Sequence, residues 1–357
     1  MKINMKNSDI IAQRLINQQI TETKFKDPWE IVNWLVAMQA QEFAMAKWAI
    51  GLRLPGWNDA DIEKTFNDGS ILRTHLLRPT WHFVTAPDIR WLLALTAPHI
   101  NAASVYYHRR NKLDQKILKK CNDVLAKTLE GGNHLTRTAL QSALKRAKII
   151  ADGERLGLIM MRAELDGVIC SGPRQGKQFT YALLDERVPA VKALTREEAL
   201  SELTIRYFAS RGPATVQDLS YWSGLTIKEL KTSVASLPNN FEREVIEEQE
   251  YIFIPITSKN KNKTLASFLM PDYDEFVMSY KNRSILFNQK NFGPAGRKAI
   301  EGYNHLFIAE GQIAGAWLRT IKNNKVIIEI KSFTVLSKPK QQAMARAEKK
   351  YNAFVKS

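Results

Sequence analysis

Apolar residues recur every three to four positions over much of the first part of the chain, which is the spacing of a helix with one buried face. Ser8 is a suitable N-cap for the first of these helices, and Asp27-Pro28 supplies the start signal of the second. The apolar stripe of the second helix continues to Met38, so we expect this helix to reach that residue. The pattern predicts helices over 7–19, 27–38, 43–50 and 59–66.

An alternation of apolar and polar residues follows and predicts a hairpin, with strands over 71–77 and 80–84 joined by Arg78-Pro79. Helices followed by a hairpin are the element order of a winged helix. Further helices are expected over 85–97 and, with a basic and solvated face, over 106–130.

The same order of helices and a hairpin then occurs a second time, with a period of about sixty residues. After Gly131-Gly132, the pattern predicts helices that end at Lys148 and Leu165. A strand pair over 167–171 and 178–183 follows them. The loop between these strands contains glycines and cations, which suits a hairpin tip that lies against an anionic backbone.

A third occurrence has predicted helices over 197–210, 215–222 and 226–237, followed by a strand pair within 241–256. The hairpin of this unit, Glu242–Glu250, is acidic and would be repelled by phosphate groups. We therefore do not expect the third unit to bind a nucleic acid through its hairpin.

The last hundred residues change character, because a lysine-rich stretch at 258–263 reads as a solvated linker and strands follow it. Glu310-Gly311 and Asn323-Asn324 are good hairpin turns. A basic helix over 338–355 closes the chain. The predicted strands cover 265–269, 305–309, 313–320 and 326–333.

These patterns predict an α+β fold of three tandem winged-helix units followed by a small C-terminal β domain with a terminal helix. A chain of 357 residues is long enough for several units. The first unit carries the two glutamines described below and a helical extension. The predicted domain ranges are 1–130, 131–190, 191–257 and 258–357.

The chain has 52 lysine and arginine residues against 36 acidic residues, a formal charge of +16. One interpretation of this excess is solubility alone. The other is an anionic polymer, because cations that meet regularly spaced phosphates release the counterions bound to them. Double-stranded DNA is therefore the predicted partner of what we expect to be a monomer. Membrane binding fits less well, because no stretch of about twenty apolar residues occurs.

Cysteine and histidine usage argues against a disulfide framework or a metal site. The cysteines Cys121 and Cys170 are far apart and form no CxxC motif, and the histidines have no HExxH spacing. No dinucleotide-binding or Walker glycine pattern is present, so no cofactor is predicted. The first twenty residues lack the apolar core of a signal peptide, and we expect a cytoplasmic, nucleoid-associated protein.

Gln39 and Gln41 stand in an otherwise apolar run. A buried carboxamide without hydrogen-bond partners costs about 1–3 kcal/mol, so two of them beside a core indicate a site. Residues two apart on a helix point in directions about 200° from each other. If both side chains serve one target, the helix must therefore break before the run that begins at Phe43.

The chain resembles the AlkZ-type DNA glycosylases, a winged-helix family, over almost its whole length. The resemblance rests on Met38-Gln39-Ala40-Gln41, the Arg78–His82 hairpin, the three winged-helix units, Leu269–Phe276 and Gly311–Trp317. Members have tandem winged helices and a C-terminal β domain, and they remove alkylated purines, some from interstrand crosslinks. Their catalytic signature is Gln–apolar–Gln, or Gln–apolar–Asp in a sister branch. The resemblance implies that Gln39 and Gln41 are catalytic.

The residue types suit one kind of base excision. Alkylation at N7 or N3 makes a purine cationic, so the base leaves without being protonated. A glutamine is no base, but its carbonyl oxygen can orient a water molecule and stabilise developing positive charge. We expect a monofunctional glycosylase in which Gln39 and Gln41 position water at the sugar C1′. An uncharged base would need a carboxylate, so glutamine here predicts cationic lesions.

Candidate DNA ligands surround the glutamines in the predicted elements. Arg73 and Arg78 are expected to bind phosphates, and Arg174 and Lys177 to bind DNA at the second hairpin tip. Thr80 and His82 approach the lesion or its flanking phosphates, or else are strand residues with satisfied side chains. We expect Trp81 to lie in the core. The acidic residues Asp272, Asp274 and Glu275 are expected in a capped, solvated turn outside the site.

Two other classes of protein fit the same units. Winged helices commonly belong to transcriptional regulators, which dimerise and read base edges. The candidate recognition helix, 154–165, is poor in Asn, Gln and Ser, which argues against this alternative. The second alternative is a structure-specific DNA-binding protein without catalytic activity. Base release from alkylated DNA separates both alternatives from a glycosylase, and the sequence leaves crosslink unhooking open.

Overall fold

The computed structural model describes residues 5–256, 266–287, 305–322, 325–333 and 335–356. The predicted linker at 258–263 and the turn Asn323-Asn324 lie outside the described residues. Among the described residues, no helix combines the length and apolar character needed to cross a membrane.

Helices and strands are mixed along the chain, and one order of elements is repeated. Helix α1 (Asn7–Asn17) precedes the first repeat. Within the repeat, a helix leads into a short strand, two more helices follow, and a hairpin closes the unit. The elements are α2 (Pro28–Trp34), β1 (Ala37–Gln39), α3 (Phe43–Arg53), α4 (Asp59–Asp68), β2 (Ile71–Leu76) and β3 (Thr80–Thr85). The short strand pairs with the second hairpin strand, giving the sheet order β1-β3-β2.

Two helices, α5 (Ala86–Ala103) and α6 (Val105–Arg110), connect the first repeat to a second with the same element order. The second repeat consists of α7 (Gln115–Leu129), β4 (Leu135–Thr136), α8 (Arg137–Arg146), α9 (Gly153–Leu165), β5 (Ile169–Ser171) and β6 (Thr180–Leu183), and α10 (Leu184–Arg187) follows it. Its sheet order, β4-β6-β5, is equivalent to that of the first repeat.

A third repeat has the same order, although its short strand is reduced to one residue. Ala214 forms an antiparallel bridge with Ile252, which belongs to the second strand of the hairpin. The elements are α11 (Arg196–Arg211), α12 (Val216–Ser223), α13 (Ile227–Ala235), β7 (Glu242–Ile246) and β8 (Gln249–Phe253).

The C-terminal part forms a four-stranded sheet whose strands lie side by side in chain order, with a long helix against it. Its core is continuous with that of the first repeat. The indole of Trp48 on α3 donates a 2.7 Å hydrogen bond to the Leu269 carbonyl and packs edge-on against Tyr351, at 5.0 Å between centroids. The described elements are β9 (Ser267–Leu269), α14 (Glu275–Met278), a short 3-10 helix (Ser284–Leu286), β10 (Leu306–Ala309), β11 (Gln312–Lys322), β12 (Lys325–Ser332) and α15 (Lys338–Val355).

The largest departure from the predicted elements precedes the glutamines. The second helix ends at Trp34 and not at Met38, because Val36 takes a left-handed conformation with φ of 63°. Ala37 to Gln39 then pair with β3, with Gln39 opposite His82. The expectation that the helix breaks before Phe43 is confirmed, since α3 begins at that residue.

Two smaller differences concern the helices between the first two repeats. The predicted helix 85–97 continues to Ala103, with Pro98 inside it. The predicted basic helix 106–130 is divided into α6 and α7, because Lys112 has a φ of 50° and the side chain of Asp114 caps α7.

Candidate active site

The side chain of Gln39 forms the turn that ends β1. Its Oε1 accepts hydrogen bonds from the backbone N–H groups of Ala40 at 3.1 Å and Gln41 at 3.2 Å. Its Nε2 donates a 3.2 Å hydrogen bond to the hydroxyl of Thr80 on β3. The carboxamide is therefore buried but bonded, as a polar group beside a core must be.

Gln41 follows in the turn and is exposed. Within the described part of the chain, its carboxamide has no hydrogen-bond partner, whereas its backbone is held on both sides. Its N–H donates to Gln39, and its carbonyl oxygen accepts from Arg73 at 3.4 Å. The two glutamines thus differ in environment, because one side chain builds the turn and the other is presented by it.

Arg73 lies beneath this turn and is buried. Its Nε donates a 2.9 Å hydrogen bond to the carbonyl oxygen of Ala40. Its guanidinium carbon lies 4.2 Å from the ring centroid of Trp81 and 4.6 Å from that of Phe179. Burial lowers the pKa of Arg73 to about 10, so the group remains charged at neutral pH. Trp81 is half-buried and provides one face of this arrangement.

The loop of the second hairpin also lies next to this turn. The backbone N–H of Arg174 donates a 2.7 Å hydrogen bond to Asn67 on α4. The Arg174 guanidinium carbon lies 4.2 Å from the Phe179 ring centroid and 5.0 Å from that of Phe43, the first residue of α3. Lys177 is exposed at the tip. The structure therefore brings Arg174 next to the turn that carries Gln41.

His82 lies below Gln39 in the sheet and is buried. Its Nδ1 is 2.9 Å from the carbonyl oxygen of Thr80, and a carbonyl can only accept, so Nδ1 carries a proton. Burial lowers the pKa of His82 to about 4, which makes the imidazole neutral at physiological pH. Thr80 consequently holds Gln39 with its hydroxyl and His82 with its carbonyl oxygen.

Arg78 lies at the tip of the first hairpin, where it meets the third repeat. It is half-buried, with its guanidinium carbon 4.8 Å from the ring centroid of Tyr221 on α12. Burial raises the pKa of the Tyr221 hydroxyl, but the charges of Arg283 and Arg78 outweigh it, and the net shift is downward.

Six of the predicted site residues meet around the end of β1, namely Gln39, Gln41, Arg73, Thr80, His82 and Arg174. The other two do not form a second cluster. Arg78 contacts the third repeat, and Lys177 is exposed at the second hairpin tip. Among the described residues, no cluster of histidine, cysteine or carboxylate side chains could hold a metal ion.

The acidic segment after β9 is the feature that the sequence misplaced. Asp272, Asp274 and Glu275 are 8%, 3% and 2% exposed, so the predicted solvated turn is wrong. The predicted cap is confirmed, since Asp274 accepts a 2.8 Å hydrogen bond from the N–H of Phe276. Glu275 accepts a 2.9 Å hydrogen bond from the backbone N–H of Gln39. The apolar residues on both sides of the acidic segment were the available signal for its burial.

A structural comparison identifies the class of fold. The Streptomyces sahachiroi DNA glycosylase AlkZ shares the fold with a TM-score of 0.77. The match covers 98% of this chain and 96% of that chain, at 17% sequence identity.

Sequence comparisons then give the family. The family described as DNA glycosylase AlkZ-like matches residues 32–354, and the chain belongs to it. An interstrand DNA cross-link repair glycosylase of Streptomyces sahachiroi is 24% identical over 223 residues, which is 60% of this chain and 60% of that protein. These matches do not favour a transcriptional regulator.

Proposed function

We propose that this protein is a monofunctional DNA glycosylase that hydrolyses the N-glycosidic bond of purines made cationic by alkylation at N7 or N3. The observation that carries the proposal is the turn at the end of β1. The side-chain oxygen of Gln39 accepts hydrogen bonds from the backbone N–H groups of Ala40 and Gln41, whereas the Gln41 carboxamide is exposed. A hydrogen-bonded turn that presents an exposed carboxamide is a means of orienting water.

In this mechanism, the water oxygen attacks C1′ as the bond from C1′ to the base breaks. The cationic base leaves as a neutral molecule with the bonding electron pair, so no acid has to protonate it. The carbonyl oxygen of Gln41 accepts a hydrogen bond from the water and stabilises positive charge on the sugar. Gln39 fixes the turn, which refines the paired role predicted for the two glutamines. The water proton passes to solvent.

The DNA contacts are proposed from exposure and position. Arg174 and Lys177 on the second hairpin loop bind backbone phosphates next to the lesion, and Arg78 binds them at the first hairpin tip. Arg73 is buried with its hydrogen bonds on backbone carbonyl oxygens, so we assign it to positioning the turn and not to phosphate. Thr80 and His82 likewise support Gln39 from the sheet.

The three repeats are proposed to be winged-helix units, since each contains three helices and a hairpin whose second strand pairs back with a segment before the second helix. The ranges 191–257 and 258–357 are kept as a working division. The boundary proposed at 130 moves to a point before α7, because Leu118 and Leu125 share a hydrophobic cluster with Leu140 in the second unit.

The substrate is proposed to be double-stranded DNA bound by one copy of the chain in the cytoplasm, at the nucleoid. The formal charge of +16 supports such a partner. The relative from Streptomyces sahachiroi is named for interstrand cross-link repair. We therefore extend the proposal to interstrand crosslinks formed through cationic purine adducts, whose release at either glycosidic bond separates the strands.

The test is base release from a duplex that contains a single N7-methylguanine. Abasic sites formed by the protein are cleaved with alkali, and the labelled strand is separated by size. We expect scission by the wild type and none above buffer by Gln41→Ala. Gln217→Ala serves as the matched control, because Gln217 is an exposed glutamine on α12.

A crosslinked duplex gives the second arm of the same experiment, with strand separation as the readout. Absence of scission by the wild type, combined with tight binding to one undamaged sequence, would overturn the proposal in favour of a regulator. Equal scission by Gln41→Ala would overturn the role of the turn.

A further inference from the structure

The outer edge of β1 is covered by two side chains from distant parts of the chain. An edge strand leaves alternate N–H and carbonyl groups without partners. Here the N–H of Gln39 donates a 2.9 Å hydrogen bond to Oε1 of Glu275. The carbonyl oxygen of Ala37 accepts a 3.0 Å hydrogen bond from Nη2 of Arg211. The two side chains take the place of a neighbouring strand.

Arg211 and Glu275 are themselves an ion pair, with Nη2 2.8 Å from Oε2. Both side chains are buried. Oε2 of Glu275 also accepts from the indole of Trp222 at 3.0 Å and from the hydroxyl of Ser279 at 2.7 Å. Burial raises the pKa of Glu275, but Arg211 and the hydrogen bonds outweigh it and hold the pKa below its ordinary value. The carboxylate is thus charged and fully bonded.

This pair ties three parts of the protein together. Arg211 ends α11 and Trp222 lies on α12, both in the third repeat, whereas Glu275 begins α14. The strand they hold belongs to the first repeat and leads directly into the turn of Gln39 and Gln41. Any displacement of β1 along its edge therefore moves the exposed carboxamide of Gln41.

We propose that Glu275 and Arg211 are positioning residues for base excision, which fix β1 and thereby the place of Gln41. This inference rests on the proposed glycosylase function. Neither residue touches DNA or the reacting atoms. On one edge of β1, the register is set by pairing with β3. On the other edge, the side chains of Glu275 and Arg211 hold the strand in that register.

Glu275→Gln tests the contact to Gln39 with little change in shape. Glu275 has three donors on Oε2 and one donor on Oε1. Glutamine has a single side-chain oxygen, and the carboxamide is expected to turn this oxygen toward the three donors that Oε2 serves in the wild type. Its NH₂ group then faces the N–H of Gln39, and two donors cannot bond to each other. The substitution therefore removes the hydrogen bond that holds β1.

The neighbouring ion pair provides a matched control. Asp274 bonds to Arg53 through both oxygens, at 2.8 Å and 2.9 Å, and is as deeply buried as Glu275. Within the described residues, its side chain makes no hydrogen bond to β1. Asp274→Asn keeps a carbonyl oxygen for the helix cap, so it weakens a buried ion pair without changing the edge of the strand.

The measurement is the single-turnover rate of release from the N7-methylguanine duplex and, separately, the dissociation constant for that duplex. Both are taken at a temperature where every variant is folded. We expect Glu275→Gln to lower the rate about tenfold or more with unchanged affinity, because a displacement of about 1 Å suffices for such a loss. Asp274→Asn is expected to keep the wild-type rate despite a lower melting temperature. A wild-type rate for Glu275→Gln, or an equal loss in Asp274→Asn, overturns the inference.

Arg211→Lys is the second variant and covers the case in which Glu275→Gln does not fold. Lysine keeps a positive charge beside Glu275 but lacks the planar fork that also reaches Ala37. It is expected to lower the rate with unchanged affinity in the same way, and a wild-type rate overturns the inference.

Amide hydrogen exchange separates this inference from the proposed function, because it does not need activity. Exchange over residues 37–41 is expected to be faster in Glu275→Gln, or in Arg211→Lys, than in the wild type and Asp274→Asn. If the wild type releases no base, the proposed function fails, and exchange still decides whether the pair holds β1. Unchanged exchange in both variants overturns the inference.

Discussion

The backbone N–H of Gln39 donates a 2.9 Å hydrogen bond to the carboxylate of Glu275, which lies 236 positions further along the chain. Gln39 is also bonded through its side chain to Thr80 and to the backbone of Gln41. Gln39 is therefore held in place by hydrogen bonds from both the first repeat and the C-terminal part. The proposed chemistry of Gln41 depends on this support.

The two glutamines are expected to respond differently to substitution by alanine. Gln39→Ala removes three side-chain hydrogen bonds and should lower the free energy of unfolding by about 1–3 kcal/mol. Gln41→Ala removes an exposed side chain and should change it by less than about 0.5 kcal/mol. Both should abolish base release. Urea unfolding and the alkali assay measure the two effects, and full activity in Gln39→Ala would contradict the role of the turn.

Arg73→Lys is expected to lower the release rate without changing the salt dependence of DNA binding. Lysine cannot bond to both carbonyl oxygens and pack flat on Trp81 and Phe179 at once. The measurement is the dissociation constant of the duplex across a range of salt concentrations, together with the single-turnover rate. A smaller salt slope would show that Arg73 binds phosphate, as the sequence alone predicted.

Lys177→Gln should have the opposite signature. The loss of one phosphate contact lowers the slope of log affinity against log salt by about 1, and the rate at saturating DNA stays the same. Lys231→Gln is the control, since Lys231 is exposed on α13, in the unit whose acidic hairpin is not expected to bind DNA. An equal change in both variants would show that the effect is one of net charge.

His82 is expected to make the folded protein less stable in mild acid. Its pKa is about 4 in the folded state, lowered by burial, and about 6.5 in an unfolded chain. The unfolded state therefore binds a proton that the folded state does not between these values. As the pH falls from about 6.5 toward 4, this difference in proton binding lowers the free energy of unfolding by on the order of 3 kcal/mol.

The measurement that isolates His82 compares the wild type with His82→Gln by urea unfolding at pH 7 and pH 5. The difference between the two proteins in the stability lost on acidification is the contribution of His82. We expect the wild type to lose more stability on acidification than the variant. Equal losses would show that His82 is not held neutral by its surroundings.

Glu42→Gln tests whether a carboxylate takes part in the chemistry. Glu42 is exposed beside Gln41 and precedes α3. Since a cationic base leaves without an acid, we expect the release rate from N7-methylguanine DNA to stay close to that of the wild type. A large loss with unchanged affinity would identify Glu42 as a base that activates the water, and the proposed mechanism would have to change.

The amino-acid sequence determined the order of helices and hairpins, because periodicity, caps and turns are local properties of the chain. It also placed a break in the helix before Phe43 and marked Gln39 and Gln41 as candidate site residues, since two carboxamides in an apolar run need hydrogen-bond partners. The large positive charge was visible without any structure.

The tertiary structure alone decided which partners those groups have. Three residues form β1 because β3 and the Arg211–Glu275 pair bond to its two edges, and such a short segment has no strand signal of its own. The burial of Glu275 depends on an arginine 64 positions away. Hydrogen bonds and ion pairs over such separations follow from how the units pack, which local periodicity does not encode.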